Sequence, residues 1–514
     1  MFAQNSLVPH AVDLELACRI QLPPSTSTVF VASDTTSNAG RLESNGNSLP
    51  PTDLNGVSGS TNESTLQPTD VGRGAWSFLA AAFVVQAIAW GVPNAYGVFL
   101  DSYLQDPRYI SQGSATSLLP LIGTLSSGII YCSGSVVNPI AARYPQHRHK
   151  SMWFGAALCF GSLLGSSYAT KILHLVLLQG VLYGVGGSLL FLSCISNMSE
   201  WFVARRGLAN GILFAGTATG GVLLPLVLPK LISKYGSSKT LRILAITIIL
   251  ILSPVLPFVK GRLPHTRARA HGPTPRGAPK PHEWMKHKPF CIFLIVNTLH
   301  GLAFFVPVVY LPTFANDVHI SSSNSAVTLA MLNAAAVVGR LLMGYLSDKF
   351  NPWILALTTL LTTSAATFVL WGVLSHSFAG LLTFSIAYGS VASGWTSVYI
   401  GFVKPVAKDD PVLTTKLFGY LLLSRGIGNI LSTPLAAKLY AGPHNATDSR
   451  LSTGFEVGNG RFKNMIIYLG TCFAGAAGIA ALGWAMDARK ISTTPRDRSS
   501  AREVNLENVD ERNL

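Results

Sequence analysis

Apolar residues dominate the chain in long runs from position 76 onward, whereas polar residues dominate before it. Each run has about 20 residues or more, the length that an α-helix needs to cross about 30 Å of hydrocarbon. The pattern predicts twelve transmembrane helices. The first six lie near residues 76–100, 115–138, 151–170, 172–197, 208–228 and 240–259. The second six lie near 289–311, 325–346, 352–373, 378–402, 416–440 and 464–486.

A stretch rich in Lys, Arg and Pro, residues 260–288, divides these runs into six and six. The sequence therefore predicts an all-α membrane protein with two six-helix bundles, over residues 75–259 and 289–486. Residues 1–74 are rich in Ser, Thr, Asn, Gly and Pro and are predicted to be a disordered tail, because they cannot bury enough apolar surface to fold. Basic loops remain in the cytoplasm, so the linker predicts that both tails, 1–74 and 487–514, are cytoplasmic.

Composition supports the membrane prediction and excludes several other classes. Of 514 residues, 49% are hydrophobic and 12% are charged, which is too apolar for a single soluble core. The net charge of +15 lies mostly in short loops, where it sets orientation in the lipid bilayer, so we do not predict nucleic-acid binding. The six cysteines form no CxxC pair, and we find neither a phosphate-binding loop nor a clustered catalytic set. We predict no metal, no cofactor and no enzymatic activity.

Two arginines stand inside apolar runs that contain no acidic residue near their middle, Arg340 in the eighth run and Arg425 in the eleventh. A cation in hydrocarbon costs on the order of 3 kcal/mol on insertion scales, so it generally faces a wet cavity or a partner. At about 1.5 Å per residue, Arg340 lies about 12 Å from Asp348 along its helix. We predict that both arginines bind the negative group of a small organic anion. The alternatives are contacts with carbonyl groups, or with Asp348 through water, for Arg340 and a conformational latch for Arg425.

Other polar side chains near the centres of the runs are candidates for the same cavity. His300 can change charge near neutral pH and is predicted to carry a coupling proton, with a neutral carbonyl-bonded histidine as the alternative. Asn94, Asn297, Tyr388 and Trp395 are predicted to contact substrate, because polar groups facing lipid would be unsatisfied. The alternative for each of these four is a contact between helices.

Three further residues are candidates for a cytoplasmic gate, and one is a candidate for modification. Arg205 and Arg206 lie at a predicted cytoplasmic helix junction, and Asp348 lies at the cytoplasmic end of the eighth run, so we predict that they form the gate. Asn445 begins the triplet Asn-Ala-Thr in the longest predicted outer loop. We predict that Asn445 is glycosylated.

Several segments carry a family resemblance. The stretch after the fourth run reads WFVARRGLANGILFAGTATGG, with an aromatic pair, an arginine pair and Leu-Ala-x-Gly before a small-residue helix. The first run contains WGVPNAYGVF and the eighth contains VVGRLLMGYLSD. These segments resemble the monocarboxylate-porter branch of the major facilitator superfamily, in its fungal type. The resemblance implies two six-helix bundles with alternating access to a central site, proton-linked transport without ATP, and a substrate-binding role for Arg340.

The chain also departs from that branch. Ala336 stands one helical turn before Arg340, where carboxylate carriers of the branch have an acidic residue, and Asn94 stands where they have a lysine. Two transport hypotheses therefore remain. The first is a plasma-membrane carrier of a monocarboxylate or carboxylated metabolite, and the second is an efflux carrier of an aromatic or polyketide-like metabolite. A receptor that binds ligand without flux is the hypothesis from another class.

Overall fold

The structure is a computed structural model, and it confirms the all-α prediction within the residues that it describes. These are residues 68–202, 205–262, 283–347, 349–407, 411–440 and 453–493. Residues 1–67, most of the basic linker and residues 494–514 lie outside the described parts. The predictions for the two tails and the linker therefore stay predictions.

Nine helices precede the linker in the described chain, and two of them are joined by a π-helical segment, Val176–Leu182, which runs from α7 into α8. The nine helices are α1 Arg73–Asn94, α2 Tyr96–Leu104, α3 Pro107–Ile110, α4 Ala115–Cys132, α5 Gly134–Arg143, α6 Arg148–Ser166, α7 Ile172–Leu175, α8 Tyr183–Trp201 and α9 Arg206–Val255. Short 3-10 turns lie at Pro145–His147 and Leu256–Phe258.

Eight helices follow the linker in the described chain. They are α10 Lys288–Phe304, α11 Val306–Asp317, α12 Ser322–Ser347, α13 Pro352–Ala365, α14 Phe378–Ala392, α15 Tyr399–Ala407, α16 Pro411–Leu439 and α17 Lys463–Thr493. A π-helical segment, Ala366–Val373, extends α13, and a 3-10 segment, Ser393–Val398, joins α14 to α15. Further 3-10 turns lie at Glu283–Lys286 and Gly454–Glu456.

Eight stretches of the described chain are long and apolar enough to cross a membrane. They are Arg73–Leu104, Ala115–Asn138, Ile172–Met198, Leu208–Phe258, Lys288–Asp317, Ser322–Ser347, Pro352–Val373 and Lys463–Arg489. The fourth stretch, with 51 residues, is long enough for two crossings. The predicted spans in α6, in α14 to α15 and in α16 fall outside this set, so the number twelve stays a prediction.

The chain turns back at Gly236, where φ is 76° and ψ is 164° and the positive φ favours glycine. The residues on either side of α9 then meet at one end of the molecule. The backbone N–H of Arg205 donates to Asp70 Oδ1 at 2.7 Å, and the N–H of Asp70 donates to the Trp201 carbonyl at 2.9 Å. The Trp201 indole N–H donates to the Lys260 carbonyl at 2.8 Å. We call this end the linker side and the opposite end the far side.

Among the described residues, three helix pairs make the most extensive contacts between the two halves of the chain, namely α2 with α11, α4 with α16, and α9 with α12. The first pair is especially close, because a Cβ added at Gly97 would lie 2.6 Å from the Val308 carbonyl oxygen. On the far side, Asn316 Nδ2 donates to Asp101 Oδ1 at 2.5 Å, again between α11 and α2. The small residue and the hydrogen bond hold the halves together at this end.

Candidate substrate site between the two halves

A small cavity lies between the halves, where α1, α4, α8 and α9 face α12, α16 and the Ser393–Val398 segment. Its lining combines two guanidiniums, three aliphatic hydroxyl groups, one phenol and several other aromatic rings. They are contributed by Arg340, Arg425, Thr217, Ser393, Thr396, Tyr131, Trp90, Phe191, Phe214 and Phe418, together with Leu422. None of these lining residues is acidic. The cavity measures about 20 Å³, and one water molecule needs about 10–15 Å³. The structure therefore shows the cavity nearly closed.

Arg340 is half-buried and reaches from α12 to the first half of the chain. Its Nη1 donates to the Phe214 carbonyl oxygen at 2.8 Å and to the Thr217 hydroxyl oxygen. Its Nε donates to the Ser393 carbonyl oxygen at 3.4 Å. Arg340 thus lines the cavity and makes the carbonyl contacts that the sequence gave as an alternative, and its binding of an anion stays a prediction.

Arg425 is only 2% exposed and lies near the middle of α16. Its guanidinium carbon lies 4.4 Å from the Phe304 ring centre and 5.4 Å from that of Tyr131, which belongs to the other half. Its Nη1 lies 3.1 Å from His300 Nδ1. Because a guanidinium only donates hydrogen bonds, Nδ1 must be the accepting nitrogen and a neutral His300 carries its proton on Nε2.

Asn297 lies behind this pair and uses its whole amide group to join helices. Its Nδ2 donates to the Leu421 carbonyl oxygen at 2.7 Å and to Ser424 Oγ at 2.6 Å, both on α16. Its Oδ1 accepts from Trp395 Nε1 at 2.8 Å and from the Tyr399 hydroxyl at 2.7 Å. In this conformation Asn297 connects α10 to three other segments and does not line the cavity.

The other predicted substrate contacts occupy similar positions behind the lining. Trp395 stacks on His300, with ring centres 4.5 Å apart and an angle of 7° between the planes. The Tyr388 hydroxyl donates to the Phe304 carbonyl oxygen at 2.9 Å. Asn94 Nδ2 donates to the Thr217 carbonyl oxygen at 2.8 Å. These side chains make the contacts between helices that the sequence left as their alternative.

The predicted gate is only partly described. Arg205 is exposed on the linker side, and its backbone N–H contacts Asp70, as given above. The side chain of Arg206 lies outside the described parts of the chain, as do Asp348 and Asn445. The gate and the glycosylation of Asn445 stay predictions.

Sequence reasoning did not find Tyr131, Thr217, Ser393 or Thr396 as lining residues. For Thr217 the available signal was its place one helical turn before Gly221, in a small-residue run where helices approach closely. That signal does not show which hydroxyl group faces the other half. For the other three, the sequence carries no signal beyond a polar atom in an apolar run.

Comparison with known proteins gives a consistent result. The family model of the Major Facilitator Superfamily matches residues 78–433. The MFS-type transporter hasB of Aspergillus fumigatus is 30% identical over 383 residues, covering 72% of this chain and 83% of the relative. The aspyridones efflux protein apdF of Emericella nidulans is 29% identical over 331 residues, covering 63% of each chain. The nucleoside transporter NupG shares the fold, with a TM-score of 0.56 and 15% identity over 81% of this chain and 99% of that one.

Proposed function

The chain belongs to the major facilitator superfamily, and from that premise we propose that it exports an organic anion with an aromatic or extended apolar body. It is a multi-pass membrane transporter and not an enzyme, as its family and its transporter relatives indicate. The proposal joins the two transport hypotheses, since a metabolite can carry both an acidic group and a large apolar part. It assigns the acidic group to the two arginines and the apolar part to the rings.

The pair of guanidiniums is the observation that supports an anionic substrate. Arg340 and Arg425 line one cavity, no lining residue is acidic, and neither arginine lies in an ion pair within the described residues. Two positive charges in a site of low dielectric favour an anionic partner. A carboxylate also matches the fork of N–H donors on a guanidinium, because it can accept two parallel hydrogen bonds.

The aromatic rings that line the cavity support the second half of the proposal, a substrate with a large apolar part. Trp90, Tyr131, Phe191, Phe214 and Phe418 contribute aromatic surface to the cavity. Rings favour a partner with its own apolar or aromatic surface, through burial and offset stacking. A small aliphatic carboxylate would leave most of this surface without a contact. The name of the aspyridones efflux protein supports export of a metabolite by a relative of this chain.

Proton linkage is part of the proposal, and the resemblance to the monocarboxylate-porter branch supports it. We assign the coupling proton to His300, which contacts Arg425. A proton on this imidazole would place two positive groups 3.1 Å apart in the absence of an anion. An anion bound at Arg425 would offset that repulsion, so we expect proton and anion to bind together. We further propose that the carrier lies in the plasma membrane with the linker side in the cytoplasm, as the basic linker indicates.

Flux in proteoliposomes tests the proposal. The probes are naphthoate, its neutral amide, and acetate as a small carboxylate. We expect the wild-type protein to carry naphthoate faster than the amide or acetate, and Arg425→Gln to lose naphthoate flux. The matched control is Arg242→Gln, because Arg242 lies outside the cavity and contacts Ser167 and the ring of Tyr168. If wild type carried naphthoate and its amide equally fast, and Arg425→Gln left both fluxes unchanged, the proposal of an anionic substrate would be rejected. Binding without flux would favour a receptor.

A further inference from the structure

Arg340 makes hydrogen bonds that cross from one half of the chain to the other. Its Nη1 reaches Phe214 and Thr217, which lie 126 and 123 residues away in the sequence. The Thr217 hydroxyl donates to the Phe214 carbonyl oxygen at 2.7 Å. With its proton directed to Phe214, the Thr217 oxygen presents its lone pairs to Arg340. The hydroxyl is therefore oriented as an acceptor for the guanidinium.

These contacts use donors that an end-on substrate carboxylate would also need. Nη1 has two N–H groups, and α9 accepts both of them. A carboxylate that approached the guanidinium end-on would need one N–H from each Nη atom. It would have to displace at least one bond to α9. Thr217 is the weaker competitor of the two acceptors, because a side-chain rotation can withdraw its hydroxyl whereas the Phe214 carbonyl is fixed in the helix.

We propose that Thr217 sets the anion affinity of the carrier, by holding Arg340 in the unloaded site and yielding it to the bound anion. The inference rests on the proposed function, since it takes an anion at Arg340 as its starting point. Binding of the anion then removes a hydrogen bond between α12 and α9, two helices that must separate when the halves move. Loading of the site and release of the halves become linked events.

The linkage predicts that a substitution in the binding site raises the affinity for the anion. Thr217→Val keeps the shape of the side chain and removes the competing oxygen. Arg340 then meets the anion at a lower cost, and the affinity should rise. The loss of one hydrogen bond between membrane helices changes an equilibrium constant by about 3-fold on average and by up to about 20-fold. We expect the Kd of Thr217→Val for naphthoate to be lower by about 3-fold or more.

Calorimetric titration of the purified full-length protein with naphthoate tests this expectation. Thr217→Ser keeps a hydroxyl group and should restore the wild-type Kd. The matched control is Thr219→Val, because Thr219 Oγ1 donates to the Ala215 carbonyl oxygen of its own helix at 2.9 Å. In an Arg340→Gln background, Thr217→Val should leave the Kd unchanged, which a general structural effect would not do. Thr217→Ala gives the same readout where the valine variant does not fold.

The outcomes separate this inference from the proposed function. If Arg340→Gln weakens naphthoate binding while Thr217→Val and Thr217→Ala bind as wild type or more weakly, the competition is refuted and the anion site stands. If Arg340→Gln binds naphthoate as well as wild type, the anion contact at Arg340 itself is refuted. If Thr217→Val lowers the Kd by the same factor in the Arg340→Gln background, the proposed competition of Thr217 for Arg340 is also refuted.

Discussion

Replacement of Asn297 by alanine should destabilise the second half of the protein far more than the loss of an ordinary polar side chain. The amide makes four hydrogen bonds of 2.6–2.8 Å, two to α16 and two from Trp395 and Tyr399. All four join α10 to other segments. Both ring donors are fully buried, so neither can turn to water after the substitution.

The magnitude follows from the number of bonds. Hydrogen bonds between membrane helices contribute about 0.6 kcal/mol on average and at most about 1.7 kcal/mol. Four average bonds give about 2.4 kcal/mol, if each acts independently. The stranded donors of Trp395 and Tyr399 add a desolvation cost, while local relaxation recovers part of it. We expect Asn297→Ala to lower the free energy of unfolding by about 2–3 kcal/mol.

Equilibrium unfolding in mixed detergent micelles measures this change, with Asn94→Ala as the control. Asn94 makes a single described hydrogen bond, to the Thr217 carbonyl oxygen, so its loss should cost about 0.6 kcal/mol. The anion affinity of Asn297→Ala should fall as well, because Trp395 stacks on His300 and His300 contacts Arg425. If both variants lose the same stability, or if Asn297→Ala unfolds as wild type does, the reasoning from bond number is refuted.

Three other substitutions probe separate contacts. Gly97→Ala should separate α2 from α11 on the far side. Ser325 is buried and borders a cavity there with Asp101 and Pro312, so labelling of Ser325→Cys by an impermeant maleimide should increase. Unchanged labelling would contradict this, and Gly161→Ala, where an added Cβ meets no neighbour, is the control. Arg425→Lys keeps the charge but loses the fit to His300 and Phe304, so the Kd for naphthoate should rise about tenfold or more, and a wild-type Kd would show that charge alone suffices. Arg461→Gln breaks a partly exposed ion pair with Asp317 and should cost at most about 1 kcal/mol of unfolding free energy; a larger loss would contradict the solvent screening assumed for this pair.

The sequence predicted the helices well because the bilayer imposes a length and an apolarity that composition records directly. It predicted two spans across residues 208–259, and the turn at Gly236 separates them. It also singled out Arg340 and Arg425, and the structure places both on the cavity, because a cation inside hydrocarbon requires a polar partner whatever the rest of the fold.

The sequence was less informative about which polar residues face the cavity. Asn94, Asn297 and Trp395 must face protein and not lipid, but this requirement is met equally by a ligand and by a neighbouring helix. Thr217 could not be identified as a cavity residue for a different reason. A threonine in a helix commonly bonds a carbonyl oxygen three or four residues earlier, so its sequence position gives no sign of a second partner. Only the packing of α9 against α12 reveals the contact with Arg340.

The contact between His300 and Arg425 bears on how export can be driven. If proton and anion bind together, the loaded site gains no net charge, so the membrane potential does not drive transport, and export requires an outward anion gradient larger than any opposing proton gradient. An anion that moves without a proton is instead driven outward by an inside-negative potential, by about 2.3 kcal/mol per charge for each 100 mV. Proteoliposomes loaded with naphthoate distinguish these cases, with a potassium gradient and valinomycin to set the potential. Efflux that ignores the potential in wild type but responds to it in His300→Gln would support co-binding at His300, whereas equal acceleration in both proteins would assign export to the potential alone.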